Sequence, residues 1–512
     1  MTYKSNENLV NVRLNTITNY VGQSYTIAVA IIITPFYLQY LGAEAYGLVG
    51  FFMLMQNWLN LLDMGLSTTL GRQVAYARGQ VNGFEKFHNL LRSFELIFLV
   101  LTLVIVVGIY SGSNWLAHSW IKPVALSPKN ISYCISIMGL IIGLRFFSTI
   151  YRSGINGFED QIWINKVGVA ISSLKYIGSF LILIYFSSDI RHFFEYQLVI
   201  GILEAALLGR RFYYNLPPSA TPITWLKINW STFKEIIPFA LSIFYTSAIL
   251  IVITQFDKLL LSGSLSLEEF GYFSLITLIT GAVISLATPV FLAFLPRMTM
   301  LVSKRNLKEM ISVYVNMTQI VTWITASSAV LIGIYSQQIL YSLTGSEKAF
   351  IWGGEILFWY ALGSGIFVLG SFQYYLQNAF GTLKLYVFGS TLSFVIQLPL
   401  IYFVTMKYGA VGAGQLWFVF SAIWFLGWTM VVHSKLLPGF HLRWLTRDIL
   451  PILFCIGVLS YLMGKVIYID ISESRTMVAV KSTIVGIIFL SITSPCVRSI
   501  RNKVFGKIGE KF

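Results

Sequence analysis

Fourteen apolar stretches, each long enough to cross a bilayer, run almost without a break from about Asn15 to Val497. They lie near 16–40, 46–70, 93–111, 131–151, 164–186, 193–209, 236–261, 271–295, 311–335, 352–376, 385–406, 411–432, 449–468 and 477–496. Lipid offers backbone N–H and C=O groups no partner, so a crossing segment must satisfy them internally. A helix of about 20 apolar residues does this. Charged residues make up 11% of the chain, against about 25% in soluble domains. The expected class is an all-α polytopic membrane protein.

Lysine and arginine sort the connections between stretches. Those on the face away from the N-terminus hold six: Lys122, Lys129, Arg191, Lys348, Lys407 and Arg475. Those on the N-terminal face hold 24 of the 36 basic residues, and the remaining six fall within stretches. This bias predicts that both termini are cytoplasmic, as an even helix number requires. The net charge of +15 is then mostly topology and attraction to anionic membrane lipids. No nucleic-acid motif accompanies it, so nucleic acid is not an expected partner. The first stretch follows Lys4 and Arg13, is too long for a signal peptide and lacks a small-residue cleavage site, so it reads as a retained helix.

The connections exclude several functions. The longest on either face, about 112–130 and 210–235, are too short for a folded domain. Membrane glycosyltransferases, polymerases and ligases usually carry a large catalytic loop. No Walker A sequence is present. Neither the five histidines (88, 118, 192, 433 and 441) nor Cys134, Cys455 and Cys496 have metal or redox spacing. No catalytic residue, metal or cofactor is expected, which leaves a transporter or flippase.

The chain is also internally duplicated. Its first helical hairpin contains Glu44-x-x-Gly47 in the turn and ends at Arg72. The seventh and eighth stretches contain Glu268-x-x-Gly271 and end at Arg297, with almost the same interval between glycine and arginine. The copies are offset by six helices, an even number, so both halves share one orientation. Parallel repeats of this kind are common in secondary transporters. The proline-dense NLPPSATP segment, Asn215 to Pro222, reads as a linker. The expected organisation is a six-helix lobe over 1–209, a cytoplasmic linker over 210–235, and a second six-helix lobe over 236–435. Two additional helices and a basic tail fill 436–512.

The segments YLGAEAYGLVGFF and LLDMGLSTTLGRQVA near the N-terminus, with FDKLLLSGSLSLEEFGYFSL opening the second half, carry a family likeness. The sequence resembles the polysaccharide-flippase branch of the multidrug/oligosaccharidyl-lipid/polysaccharide exporter superfamily. The resemblance implies movement of undecaprenyl-diphosphate-linked oligosaccharide units, such as O-antigen, capsule or exopolysaccharide units, across the bacterial cytoplasmic membrane. It also implies polysaccharide polymerase or assembly proteins as partners. Most such relatives have twelve helices; the extra pair here is more similar to the fourteen-helix peptidoglycan lipid flippases.

Charges deep in lipid cost at least about 2.5–3.5 kcal/mol each and usually face a cavity or a partner. Arg145 and Lys175, with Arg152 and Lys166, form a basic stripe in the first lobe. Given the resemblance, it is a candidate receptor for diphosphate, which arginine engages as a fork of donors and lysine as a point charge. Snorkelling, or pairing with a carboxylate such as Glu204, is the competing reading. Asp63 is a candidate for a charge pair or a coupling cation. Asp257 and Lys258 are adjacent, so they point to different helix faces; Lys258 is a candidate for substrate binding and Asp257 for a charge pair or coupling. Gln373 and Gln377 share one face and could meet sugar or hydrogen-bond to another helix.

The leading expectation is alternating access, with the two lobes rocking about a basic cavity. Its rivals are a cation-coupled multidrug exporter of the same superfamily, a membrane glycosyltransferase or polymerase, and a non-transporting scaffold. A drug exporter expects acidic rather than basic deep charges.

Overall fold

The computed structural model describes residues 12–63, 65–80, 83–218, 230–467, 469–471, 473–497 and 501. The middle of the expected linker, 219–229, and nearly all of the basic tail lie outside the described residues. The described residues are overwhelmingly helical and contain no strand. The protein is an all-α polytopic membrane protein.

Twelve described helical segments are long and apolar enough to cross a membrane. Two of them hold two expected stretches each, so all fourteen stretches find a place. Helix α1, Val12–Leu59, bends at Gly42, whose φ is +82°. A later helix, Lys384–Leu436, bends at Gly409, whose φ is +63°. Glycine lacks the Cβ that penalises this left-handed backbone, so the chain turns without a loop.

The chain divides into two compact units, Met1–Gly271 and Tyr272–Phe512. In the first, α1 gives way to a 3-10 turn at Asn60–Asp63 and then to α2, Leu66–Arg78. The other helices are α3, Gly83–Trp115; α4, Pro128–Gly157; α5, Gln161–Tyr185; α6, Ile190–Asn215; and α7, Trp230–Ser264. Helix α4 packs against α2, α3 and α6. Small residues let the backbones approach: Gly71 lies against the Ser153 backbone, and Gly157 against Gly71 and Val74.

The Glu-x-x-Gly motif has a structural explanation here. Glu44 accepts hydrogen bonds from three consecutive backbone amides, Val124 at 2.7 Å, Ala125 at 2.9 Å and Leu126 at 3.1 Å. It thereby anchors the loop between α3 and α4. That loop also reaches the start of α8, Leu267–Ser285, because the Leu267 amide donates to the Lys122 carbonyl at 2.9 Å.

The second unit holds the rest of α8, then α9, Thr288–Ser303; α10, Leu307–Ile334; and α11, Ser336–Thr344. They are followed by α12, Glu347–Gly370; α13, Phe372–Ala379; α14, Lys384–Leu436; α15, His441–Val466; and α16, Arg475–Thr493. The interruption between α8 and α9 falls at Leu286 and Ala287, and Ala287 is the repeat equivalent of Asp63. The duplication therefore extends to a shared helix break.

Helix α10 is the spine onto which the two additional helices dock. The Trp444 indole donates to Thr318 Oγ1 at 3.0 Å, and Gln319 donates to Asp448 at 2.8 Å. Further along, the Trp323 indole donates to Thr493 at 3.0 Å and the Tyr335 hydroxyl to the Ile467 carbonyl at 3.1 Å. Tyr314, Met317, Val321, Phe372 and Trp444 form the buried apolar core of this region.

Candidate functional site

Lys175 lies in a π-helical turn, Leu174–Gly178, in the middle of α5. Such a turn widens the helix and leaves carbonyls without their usual partner. Here other side chains supply the donors. The Tyr196 hydroxyl donates to the Leu174 carbonyl at 3.1 Å, and Gln197 Nε2 to the Lys175 carbonyl at 2.9 Å. The Tyr37 hydroxyl donates to the Tyr176 carbonyl at 2.8 Å. Gly178 leaves room for the Tyr196 hydroxyl, which a Cβ there would strike. The turn is thus fixed from α1 and α6, and Lys175 is fixed with it.

The ammonium of Lys175 meets Glu204 of α6, Nζ to Oε2, at 2.5 Å. The other oxygen of Glu204 accepts from Arg152 Nη2 of α4 at 2.6 Å. Glu204 is 8% exposed, so the carboxylate is buried between the two cations. Arg145 sits two helical turns before Arg152, on the same face of α4. Its Nη1 donates to Gln56 of α1 at 2.7 Å, and its guanidinium lies over the Phe52 ring at 5.2 Å. The Arg145 Nε is buried and finds no acceptor among the described residues. Arg145 interacts electrostatically with both Lys175 and Glu204. Two cations therefore pair with one carboxylate and a third lies on the same face of α4, leaving an excess of positive charge at this place in the bundle.

The other sequence-derived candidates are placed elsewhere. Lys166 is exposed on α5 and takes no part in the Glu204 cluster. Asp63 directs both oxygens to Ser67: Oδ1 accepts from the Ser67 amide at 3.2 Å and Oδ2 from its hydroxyl at 2.8 Å. It sits in the helix break and caps α2. Asp257 and Lys258 are not held apart on separate faces. The lysine stem folds back, placing Nζ 3.3 Å from Asp257 Oδ1 and 2.5 Å from the Thr254 carbonyl. Gln373 and Gln377 are buried in the second unit, where Gln377 donates to Gln373 at 2.5 Å and accepts from the Tyr386 amide at 2.7 Å.

Two polar clusters escaped the sequence reading. In the first unit, Arg92 Nη1 donates to Glu95 at 2.6 Å and to the Tyr213 hydroxyl at 2.8 Å. The Tyr151 hydroxyl donates to Glu95 at 3.0 Å. The Arg-x-x-Glu spacing at the head of an apolar stretch was its available signal. In the second unit, Tyr314 shares a hydrogen bond with His433 Nε2 at 2.9 Å, and His433 Nδ1 lies 3.0 Å from His441 Nδ1. The two histidines belong to different helices, and their spacing along the chain gave no sign of their meeting.

Comparison with known proteins gives four likenesses. The family model described as "Polysaccharide biosynthesis protein" matches residues 12–302. A putative O-antigen transporter of Shigella flexneri is 19% identical over 403 residues, covering 79% of this chain and 93% of that protein. Among solved structures, the lipid II flippase MurJ in an inward closed conformation superposes with a TM-score of 0.70 at 16% identity. That match covers 92% of this chain and 98% of MurJ. An inward-facing multidrug resistance MATE family transporter of the MOP superfamily gives a TM-score of 0.65 at 14% identity, covering 80% and 95%. These structural likenesses establish the fold.

Proposed function

The chain belongs to the polysaccharide biosynthesis protein family, and from that premise we propose that it is a flippase of the MOP superfamily that moves a lipid-linked oligosaccharide. The cargo would be an undecaprenyl-diphosphate-linked repeat unit, moved to the outer leaflet of the bacterial cytoplasmic membrane for surface polysaccharide assembly.

The observation that carries this reading is the basic cluster of Arg145, Arg152 and Lys175 around the single carboxylate of Glu204. A lipid-linked diphosphate is an anion confined to the membrane, and guanidinium and ammonium donors are the groups that recognise phosphoryl oxygens. The multidrug-exporter alternative requires an acidic receptor for cationic cargo, and this cluster has the opposite sign. A polymerase would need a catalytic constellation, and the cluster contains no nucleophile paired with a base.

In a strain lacking the protein, lipid-linked oligosaccharide is expected to accumulate facing the cytoplasm. Wild-type protein should restore its export, and Lys175→Ala or Arg145→Ala should not. Altered drug sensitivity without any accumulation would move the assignment to drug export.

A further inference from the structure

Glu204 holds its two cations in a particular way. One oxygen takes the guanidinium of Arg152 and the other takes the ammonium of Lys175, at 2.6 and 2.5 Å. Two oxygens on one central atom, each accepting from a different cation, is also how a phosphoryl group would engage that pair. The two paired cations differ in accessibility. The side chain of Lys175 is 16% exposed and that of Arg152 is 41% exposed. An anion approaching the cluster would meet Arg152 first, while Glu204 still covers Lys175. Arg145 adds a third cation whose Nε has no acceptor among the described residues.

Resting on the reading of this cluster as a diphosphate receptor, we infer that Glu204 is an internal counter-anion, which occupies the phosphoryl position in the empty carrier and yields it to the cargo. A receptor built of buried cations faces a difficulty after release, because ions left without counter-charge in a low-dielectric interior are strongly unfavourable. Glu204 removes it. The carboxylate swings away as the diphosphate arrives and returns as it leaves, so the cations exchange one anion for another. Cargo binding is weakened by this competition and cargo release is assisted by it.

The test uses purified full-length protein in lipid nanodiscs with geranyl pyrophosphate as the probe, its affinity measured by calorimetry. Glu204→Gln keeps the shape and removes the competing charge, so the probe should bind roughly tenfold more tightly than to wild type. Lys175→Gln and Arg152→Gln should each weaken binding by a similar factor. In the flipping assay, Glu204→Gln should bind well and turn over slowly. Affinity unchanged or weakened in Glu204→Gln, with both cation variants weakened, would overturn the counter-anion role and leave the receptor intact. No effect in the cation variants would remove the receptor reading itself, and this inference with it. If Glu204→Gln does not fold, Glu204→Asp serves instead. Its carboxylate is one methylene too short to span both cations, and affinity no tighter than wild type would overturn the proposal.

Discussion

Gly47 and Gly271 occupy equivalent places in the two copies of the repeat, and each lies against the backbone of the other copy. A Cβ on Gly47 would collide with the Leu267 carbonyl, and a Cβ on Gly271 with the Ala43 carbonyl. Ala43 and Leu267 are themselves repeat equivalents, at the same offset as the two glycines. The contact is reciprocal, so it constrains both copies to the smallest side chain at once.

Substituting either glycine should therefore destabilise the protein. Gly47→Ala or Gly271→Ala is expected to cost roughly 1–3 kcal/mol, the usual range for overpacking a close contact. Gly108→Ala in α3 is the control, since nothing lies within 4 Å of the added methyl. Thermal unfolding in detergent compares the three, and equal stability would contradict the reciprocal contact.

Lys175 and Glu204 should show a strong coupling. Lys175→Ala leaves a buried carboxylate with one cation fewer, at a cost of roughly 3–5 kcal/mol. The double change Lys175→Met with Glu204→Leu removes both charges and should recover most of that stability. It should not recover flipping, because the receptor is gone. Recovery of both would mean that the pair is purely structural.

Asp63 separates capping from charge. Asp63→Ala should cost about 1 kcal/mol, as for the loss of a helix N-cap. Asp63→Asn keeps an acceptor for Ser67 and should stay close to wild type in stability and flipping. A stable Asp63→Asn protein without flipping would instead point to a role for the ionised carboxylate.

Membrane potential should assist export of a diphosphate. An inside-negative potential favours outward movement of negative charge by about 2.3 kcal/mol per elementary charge per 100 mV. Flipping in sealed vesicles should slow when an ionophore collapses the potential. An unchanged rate would exclude charge movement from the limiting step.

The apolar stretches were legible because membrane crossing depends on length and polarity, and neighbouring helices do not alter either. The break at Asn60–Asp63 was not. Apolar residues on both sides carried the second stretch through to residue 70, and only the closeness of Asp63 to Gly65 hinted at an interruption. Arg145 and Lys175 stood out because isolated charges deep in lipid are costly. Glu204 was visible as a nearby carboxylate, but its double pairing depends on how α4, α5 and α6 come together, far apart along the chain. The π-helical turn at Lys175 has no compositional mark at all. It is held by Tyr37, Tyr196 and Gln197 from outside α5, so its cause lies in tertiary contacts.

The row of side chains on α10 that receives α15 and α16 has one more consequence. Between helices in lipid there is no hydrophobic drive to associate, so packing and polar contacts must hold them together. Thr318, Gln319 and Trp323 on α10, with Tyr335 at its C-terminal end, provide such contacts. The last two helices form a module whose attachment is encoded laterally and does not depend on the covalent connection from α14. A gene split between Leu436 and His441, expressed as two polypeptides, should therefore yield a co-purifying complex, with the short piece inserting alone and finding its seat within the bilayer.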